Sequence, residues 1–293
     1  MGWMDITRTA LGLFVLGVIF YAWVIEPCRI RVSRQTIEID RLPSSLNGFT
    51  ICHLSDLHIA RVGRAERILK SILSGMQADM CVISGDMLAH SAGIEGLRWA
   101  LEKFRPRYGI FGVVGNGEYD PGMPSVDSLA HGLEESGVHV LLNEAKAIEI
   151  ENAKLNLIGV DDPFTGHDDL AKAMRDAGEG VRVLLAHSPD IVRKLDGYDI
   201  DLILTGHTHG GQIRLPLLGV LWTHCRVHLP KPAGYFSKEM VRSMGGDKRI
   251  KAQMYISRGI SGSGIRARFL CSPEISLITL TCAGPGNVNG FGS

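Results

Sequence analysis

Apolar runs divide the chain more sharply than any other feature. Residues 9–25 (TALGLFVLGVIFYAWVI) form one uncharged stretch, near the lower limit of the ~17 to 25 residues that a bilayer-spanning helix needs. Trp3 on one flank, with Tyr21 and Trp23 on the other, suits the two interfacial belts, and Arg29, Arg31 and Arg34 follow at once. By the positive-inside tendency the long C-terminal part then lies in the cytoplasm. A cleaved signal peptide needs a basic start and a small-residue cleavage site. Only Arg8 precedes the apolar core and Ile-Glu-Pro-Cys follows it, so an uncleaved single-pass anchor in the cell inner membrane is expected. A core helix is disfavoured because the run is apolar all round.

Beyond the anchor, residues 30–39 alternate apolar and polar side chains in part, the mark of a half-buried edge strand. Short apolar runs of strand length then recur at 49–54, 80–84, 109–114, 181–186 and 202–205. Helical spacing separates the first two, through Ile68, Leu69, Ile72, Leu73 and Met76, and further helices are predicted at 99–104 and 127–136. Residues 138–142, 147–150 and 155–160 are strand-like. From Gln212 onward the chain has short strands (255–257, 275–280) and no long periodic helix, and it is expected to complete a second sheet. The organisation predicted is an anchor over 1–28, one catalytic α/β domain over 29–283, and a glycine-rich, frayed tail over 284–293.

The chemistry sits where the apolar runs stop. In order they end at Asp56 and His58, Asp86, Asn116, His187, and His207 with His209. In α/β sheets, sites gather beyond the carboxyl ends of strands. Oxygen and imidazole donors suit manganese, iron, zinc or magnesium rather than thiolate-bound clusters. Two divalent ions about 3.5 to 4 Å apart are the common solution for phosphoester hydrolysis, and Asp86 is the carboxylate available to be shared. Composition removes some alternatives. Lysine plus arginine equal aspartate plus glutamate at 31 each, so no broad positive field invites nucleic acid. The 6 cysteines lack CxxC spacing and read as small buried thiols, mildly favouring a reducing compartment.

The segments SDLHIA, SGDML, VVGNGEYD, LLAHSPD and LTGHTHGGQ, in that order, resemble the signature of the calcineurin-like metallophosphoesterases. GGQIRLPLLG and YISRGISGSGIRARF resemble the branch containing membrane-associated phosphodiesterases and UDP-2,3-diacylglucosamine hydrolases. The resemblance spans residues 37–280 and implies a four-layer αββα sandwich. It also implies that Asp56, His58 and His209 hold one metal, that Asn116, His187 and His207 hold the other, and that Asp86 bridges them. Asp86, Asn116 and His187 are then the catalytic core, holding the metals between which an attacking hydroxide sits.

One position departs from that family. A histidine usually follows the motif's asparagine, contacting phosphate or protonating the leaving oxygen; here it is Gly117. A phosphate leaving group ionises near pH 7 and needs little help, whereas an alkoxide must be protonated. Gly117 therefore favours a pyrophosphate bond, and a histidine restored there is expected to help esters with poor leaving groups most. His90 is the candidate substitute acid. His53 reads as a core residue or one bonding behind a ligand. Arg258 is a candidate for phosphate binding, while Arg266 and Arg268 read as surface arginines. Asp161 and Asp162 precede a proline and read as a turn or helix cap. His131, His139, His167, His224 and His228 are given no role. The function expected is hydrolysis of a membrane-associated or lipid-linked phosphate, above all UDP-2,3-diacylglucosamine to lipid X and UMP in lipid A biosynthesis. The alternatives are a broader phosphodiesterase or phosphatase on other phospholipids or nucleotides, and a catalytically weak metal-binding scaffold at the membrane. The sequence leaves oligomeric state open.

Overall fold

The computed structural model describes residues 3–220 and 222–283; the predicted tail lies outside them. Buried alternation builds two sheets. The first has the order β1 (Arg31–Ile39), β14 (Glu274–Cys282), β2 (Thr50–Leu54), β3 (Met80–Ser84), β4 (Ile110–Val113), β5 (His139–Val140). The second runs β12 (Gly234–Phe236), β13 (Gln253–Ile256), β9 (Leu202–Thr205), β8 (Val181–Leu185), β7 (Ala153–Gly159), β6 (Glu144–Ile150). A small hairpin, β10 (Arg214–Leu215) with β11 (Gly219–Val220), stands apart.

Successive side chains of a strand point to opposite faces, and the cores follow that rule. Ile51, Met80, Val82 and Val113 of the first sheet meet Leu157, Val183, Leu185 and Leu204 of the second in one buried cluster between the sheets. Their alternates Cys52, Leu54, Cys81 and Ile83 pack outward with Leu69 and Leu73 of α2 (Arg64–Ser74), Leu97 of α3 (Gly93–Leu101) and Leu129 of α4 (Val126–Glu135). On the far side, Ile158, Leu184 and Ile203 cover against Leu170 of α5 (Leu170–Arg175) and Val241 of α6 (Lys238–Gly245). The result is the expected αββα sandwich.

Three features differ from the sequence expectation. The last strand does not complete the second sheet: β14 inserts into the first, parallel to β1 from Arg31↔Glu274 to Ile39↔Cys282 and antiparallel to β2. Helices α5 and α6 were not anticipated, because at 6 and 8 residues they carry little periodicity. The apolar helix is longer than its apolar run. α1 (Trp3–Phe20) continues through a π-turn and a 3-10 turn, so that Trp3–Cys28 spans 26 residues, long and apolar enough to cross a membrane. No side chain of α1 is buried.

The end of that helix is fastened to the domain. Ala22 O accepts from Arg268 N (2.9 Å), and the buried Glu26 carboxylate accepts from Leu270 N (2.8 Å) and Ser272 Oγ (3.3 Å). The Tyr21 ring meets Phe269 edge-on.

His53 on β2 is fully buried, pairs with Ser84 Oγ at 2.8 Å, and leaves Nδ1 without a partner. Burial pushes its pKa from 6.5 down to about 4. Between those values the unfolded chain binds a proton that the fold refuses, so this stability is full above pH 6.5 and is lost as pH falls toward 4. We expect His53→Gln to remove an acid-side loss on the order of 3 kcal/mol, measured by urea unfolding at about pH 7 and about pH 4.5. An unchanged pH slope would show that His53 is not a neutral, proton-refusing core residue.

Candidate metal centre

Five loops at the carboxyl ends of β2, β3, β4, β8 and β9 face one another where the sheets meet, and they carry all seven predicted ligands. The backbone is forced there. Asp56, His58, Asp86, His207 and His209 all have positive φ, between 41° and 68°, each at a cost of roughly 1 to 3 kcal/mol that surrounding contacts must impose. Asp56 N bonds Gly85 O (3.1 Å), His58 N bonds Asp86 O (2.9 Å), and Ser261 N bonds Asp56 O (2.8 Å). Glycines before the ligands permit this crowding. A Cβ on Gly206 would stand 1.7 Å from Ser55 Oγ, and one on Gly85 would stand 2.6 Å from His187 Nδ1.

Lone pairs converge on two points that share Asp86. Around the first, ligand atoms of Asp56, His58, Asp86 and His209 all lie within 4.8 Å of one another. Asp86 Oδ2 is 3.3 Å from His58 Nε2, and Asp56 Oδ1 is 3.4 Å from His209 Nε2. Around the second, His187 Nε2 lies 3.1 Å from Asn116 Oδ1, 3.2 Å from His207 Nδ1 and 3.4 Å from the other Asp86 oxygen, Oδ1. One carboxylate thus turns an oxygen to each group.

The protons are already spent elsewhere. His187 Nδ1 pairs with Ser84 O (2.8 Å) and His209 Nδ1 with Ser261 O (3.0 Å). A carbonyl can only accept, so both rings carry a proton on Nδ1, and in their neutral form they aim a bare Nε2 at carboxylate or amide oxygen. His58 Nε2 and His207 Nε2 are buried without a hydrogen-bond partner. Acceptors facing acceptors in a buried space need a cation between them. The donor set, and the carbonyls behind the histidines, fit divalent metal ions.

The electrostatics point the same way. Burial alone would raise the Asp56 and Asp86 carboxyls, but His209 beside Asp56 and His187 beside Asp86 hold both below the usual carboxylate range. Burial would keep His187 neutral, yet Asp86 and Asp56 outweigh it and raise its pKa, so the surroundings of Nε2 call for positive charge, from a proton or from a metal ion. Burial pushes His209 down to about 4, which keeps its lone pair available.

The weaker candidates fare unevenly. His90 is exposed. Arg258 commits its Nε to Glu274 Oε2 at 2.6 Å, on a loop whose Gly259 packs against Asp56. Arg268 is a correction, because it is no surface residue. Its fully buried guanidinium bonds the carbonyls of Arg258, Ser261, Cys271 and His209, gathering the loop that carries the proton acceptor of His209. His53 stands behind Ser84, whose carbonyl orients His187. Asp162 makes the expected turn, accepting from Thr165 N at 2.7 Å, although its Oδ1 is buried and unpartnered. At Gly117 a Cβ would stand 2.9 Å from Asp86 Oδ1, so a histidine restored there displaces the shared carboxylate and is no simple gain.

Glu118 was missed. Its buried carboxylate accepts from the backbone N–H groups of Asp86 (3.0 Å), Leu88 (3.0 Å) and Gly115 (2.8 Å), tying the β3 loop to the β4 loop. A glutamate three residues after a turn-opening glycine is a recognisable capping pattern. Burial, with the Asp86 charge adding to it, pushes its carboxyl up to about 8, against the pull of those N–H groups. Glu118→Ala strands three buried donors, each worth about 1 to 3 kcal/mol. The expected result is a lower melting temperature together with less divalent metal retained per chain after dialysis; full metal retention would show that Glu118 does not position Asp86.

Comparison with known proteins agrees with this geometry. Residues 49–211 match the family described as calcineurin-like phosphoesterase. A Bacillus subtilis (strain 168) protein, "Uncharacterized metallophosphoesterase YkoQ", is 30% identical over 251 residues, covering 84% of this chain and 89% of the relative. "Phosphodiesterase YaeI" of Escherichia coli (strain K12) is 28% identical over 241 residues, covering 79% and 82%. A zebrafish (Danio rerio) protein, "Transmembrane protein with metallophosphoesterase domain", is 31% identical over 265 residues, covering 80% of this chain and 60% of that protein.

Proposed function

We propose, from the premise that this chain belongs to the calcineurin-like phosphoesterase family and is a metal-dependent phosphoester hydrolase, that it cleaves a lipid-linked phosphate at a membrane surface. The observation that carries this reading is the attachment of the apolar helix to the site. Ala22 and Glu26 hold residues 268–272, and Arg268 of that segment bonds the carbonyls of His209 and Ser261. A centre tied so closely to a membrane-length helix meets amphiphilic phosphates at raised local concentration.

In this reading the helix is a single-pass anchor in the inner membrane, with the catalytic domain on the cytoplasmic side. Asp56, His58 and His209 would hold one divalent ion and Asn116, His187 and His207 a second, with Asp86 available to either. Bound there, such ions would supply the positive charge that phosphoester hydrolysis by water needs near neutral pH. The chain's own part is placement. Ser84 O and Ser261 O fix the two imidazoles, Gly117 N fixes Asp86 Oδ1 at 2.7 Å, and Arg258, its Nε held by Glu274, precedes the Gly259 that packs against Asp56 and is the candidate for a substrate phosphate.

The absence of a side chain at Gly117 favours a bond whose leaving group needs no proton, and UDP-2,3-diacylglucosamine, cleaved to lipid X and UMP, is the best single candidate. A second reading, a broader phosphodiesterase on other phospholipids or nucleotides, draws on the likeness to the E. coli phosphodiesterase. The scaffold reading rests on Gly117 and predicts no turnover of any phosphoester with metal bound.

Purified full-length protein, reloaded with manganese, iron, zinc or magnesium, is to be assayed on lipid-linked pyrophosphates and on alkyl and aryl phosphodiesters. Faster turnover of the nucleotide-lipid pyrophosphate is expected, and equal rates on alkyl diesters would sink the leaving-group argument. Asp86→Ala is expected to abolish metal-dependent turnover; retained activity would remove the two-ion centre from the reaction.

A further inference from the structure

We propose that the β10–β11 hairpin and Trp222 form a second membrane contact, entering the interfacial layer of the same bilayer that α1 enters; this rests on the lipid-surface reading above and adds how the site is set against that surface.

The hairpin breaks the usual rule for loops. Its tip, residues 216–218, is Pro-Leu-Leu, with Leu217 wholly exposed and Leu218 72% exposed, and Trp222 just beyond is 69% exposed. Ile265 and Leu270, on the segment paired with the hairpin's base, are 50% and 51% exposed. Apolar side chains this exposed, gathered on two backbone-paired segments, mark an interaction surface.

The occupant follows from what the hairpin is joined to. Arg214 N bonds Phe269 O at 2.9 Å, Phe269 N bonds Gln212 O at 3.1 Å, and the Gln212 side chain binds the carbonyls of Ile265 and Ala267. Phe269 also packs on Tyr21, and Leu270 N is held by Glu26, both at the inner end of the membrane-length helix. The hairpin therefore springs from the level at which α1 would leave the bilayer. Leu217 lies four residues from the Ile213↔Phe269 bridge, a reach on the order of 13 Å at strand rise. Arg226 is exposed and lines one cleft with Gly219, Val220 and Trp222, and the exposed Arg266 follows Ile265. Leucine, tryptophan and arginine on neighbouring segments are the make-up of an interfacial element on anionic lipid.

The surface leads to the metal centre. Beneath the hairpin lies an open cleft of about 740 Å³ lined by Val220, Trp222 and Arg226 among others. The Arg226 guanidinium sits over Phe164, whose ring packs on His207 at 4.7 Å. From the other end, His209 opens the turn that feeds the hairpin, and Arg214 Nε bonds Gly210 O at 2.9 Å. An embedded hairpin would hold the mouth of the site at headgroup depth, so a lipid-linked phosphate need not leave the bilayer to reach it.

The test uses full-length protein in phosphatidylglycerol–phosphatidylcholine vesicles with and without brominated acyl chains. Wild-type emission minus that of Trp222→Phe isolates Trp222. We expect bromine to quench that difference signal, and Leu217→Asp/Leu218→Asp to abolish the quenching. The same double variant should keep its rate on a soluble aryl phosphodiester and lose about tenfold on a vesicle-embedded one. Protein that floats with vesicles while Trp222 ignores bromine overturns the proposal and leaves the substrate reading intact. Trp222 shielded in cross-linked dimers assigns the patch to a second copy of the chain and also overturns it. Equal loss on both substrates would make the hairpin a structural prop, which likewise overturns it. Quenched Trp222 in an enzyme inactive on every lipid-linked phosphate supports the contact and sinks the substrate reading alone.

Discussion

Lone pairs forced together without protons between them are the constraint on which the rest of the structure depends. The imidazoles of His187 and His209 have their N–H turned outward to Ser84 O and Ser261 O, and their bare nitrogens face oxygen atoms of Asn116, Asp86 and Asp56. Such an arrangement repels itself unless positive charge fills it. The left-handed backbone at Asp56, His58, Asp86, His207 and His209 is a second cost of the same convergence. Both are sustained by groups outside the centre: the three N–H bonds to Glu118, the four carbonyls on Arg268, and glycines that let neighbouring loops touch.

The two sheets divide the labour. The first carries Asp56, His58, Asp86 and Asn116 beyond β2, β3 and β4; the second carries His187, His207 and His209 beyond β8 and β9. Neither sheet alone assembles a complete ligand group, so the packed layer of Ile51, Val82, Val113, Leu157, Val183 and Leu204 between them also sets the site. A shift of one sheet against the other would separate Asp86 from His187 before it exposed any side chain to water.

How far the sequence could be read depended on how local each feature is. The strands that end in Asp86 or His187 announce themselves, because an apolar run stops at a polar residue within a few positions. β14 could not be placed, since its partners β1 and β2 lie over 200 residues away and nothing in its own alternation names them. Arg268 was misread for a related reason: a guanidinium is buried only when carbonyls gather around it, and those come from four separate residues. Glu118 lay within reach, at capping distance from Gly115, but its remote donors at Asp86 and Leu88 are tertiary. Gly117 was visible as a departure, whereas the closeness of Asp86 to it was not.

The insertion of β14 between β1 and β2 bears on timing during synthesis. Residues 274–282 leave the ribosome after every ligand loop, yet they fill an interior place in the first sheet. In a nascent chain β1 would wait without a neighbour, since among the described residues it pairs with β14 alone. Long-range pairing of this kind is slow and comes late. The hydrolytic centre would therefore mature only after residues 274–282 have emerged, however early its ligand loops are made.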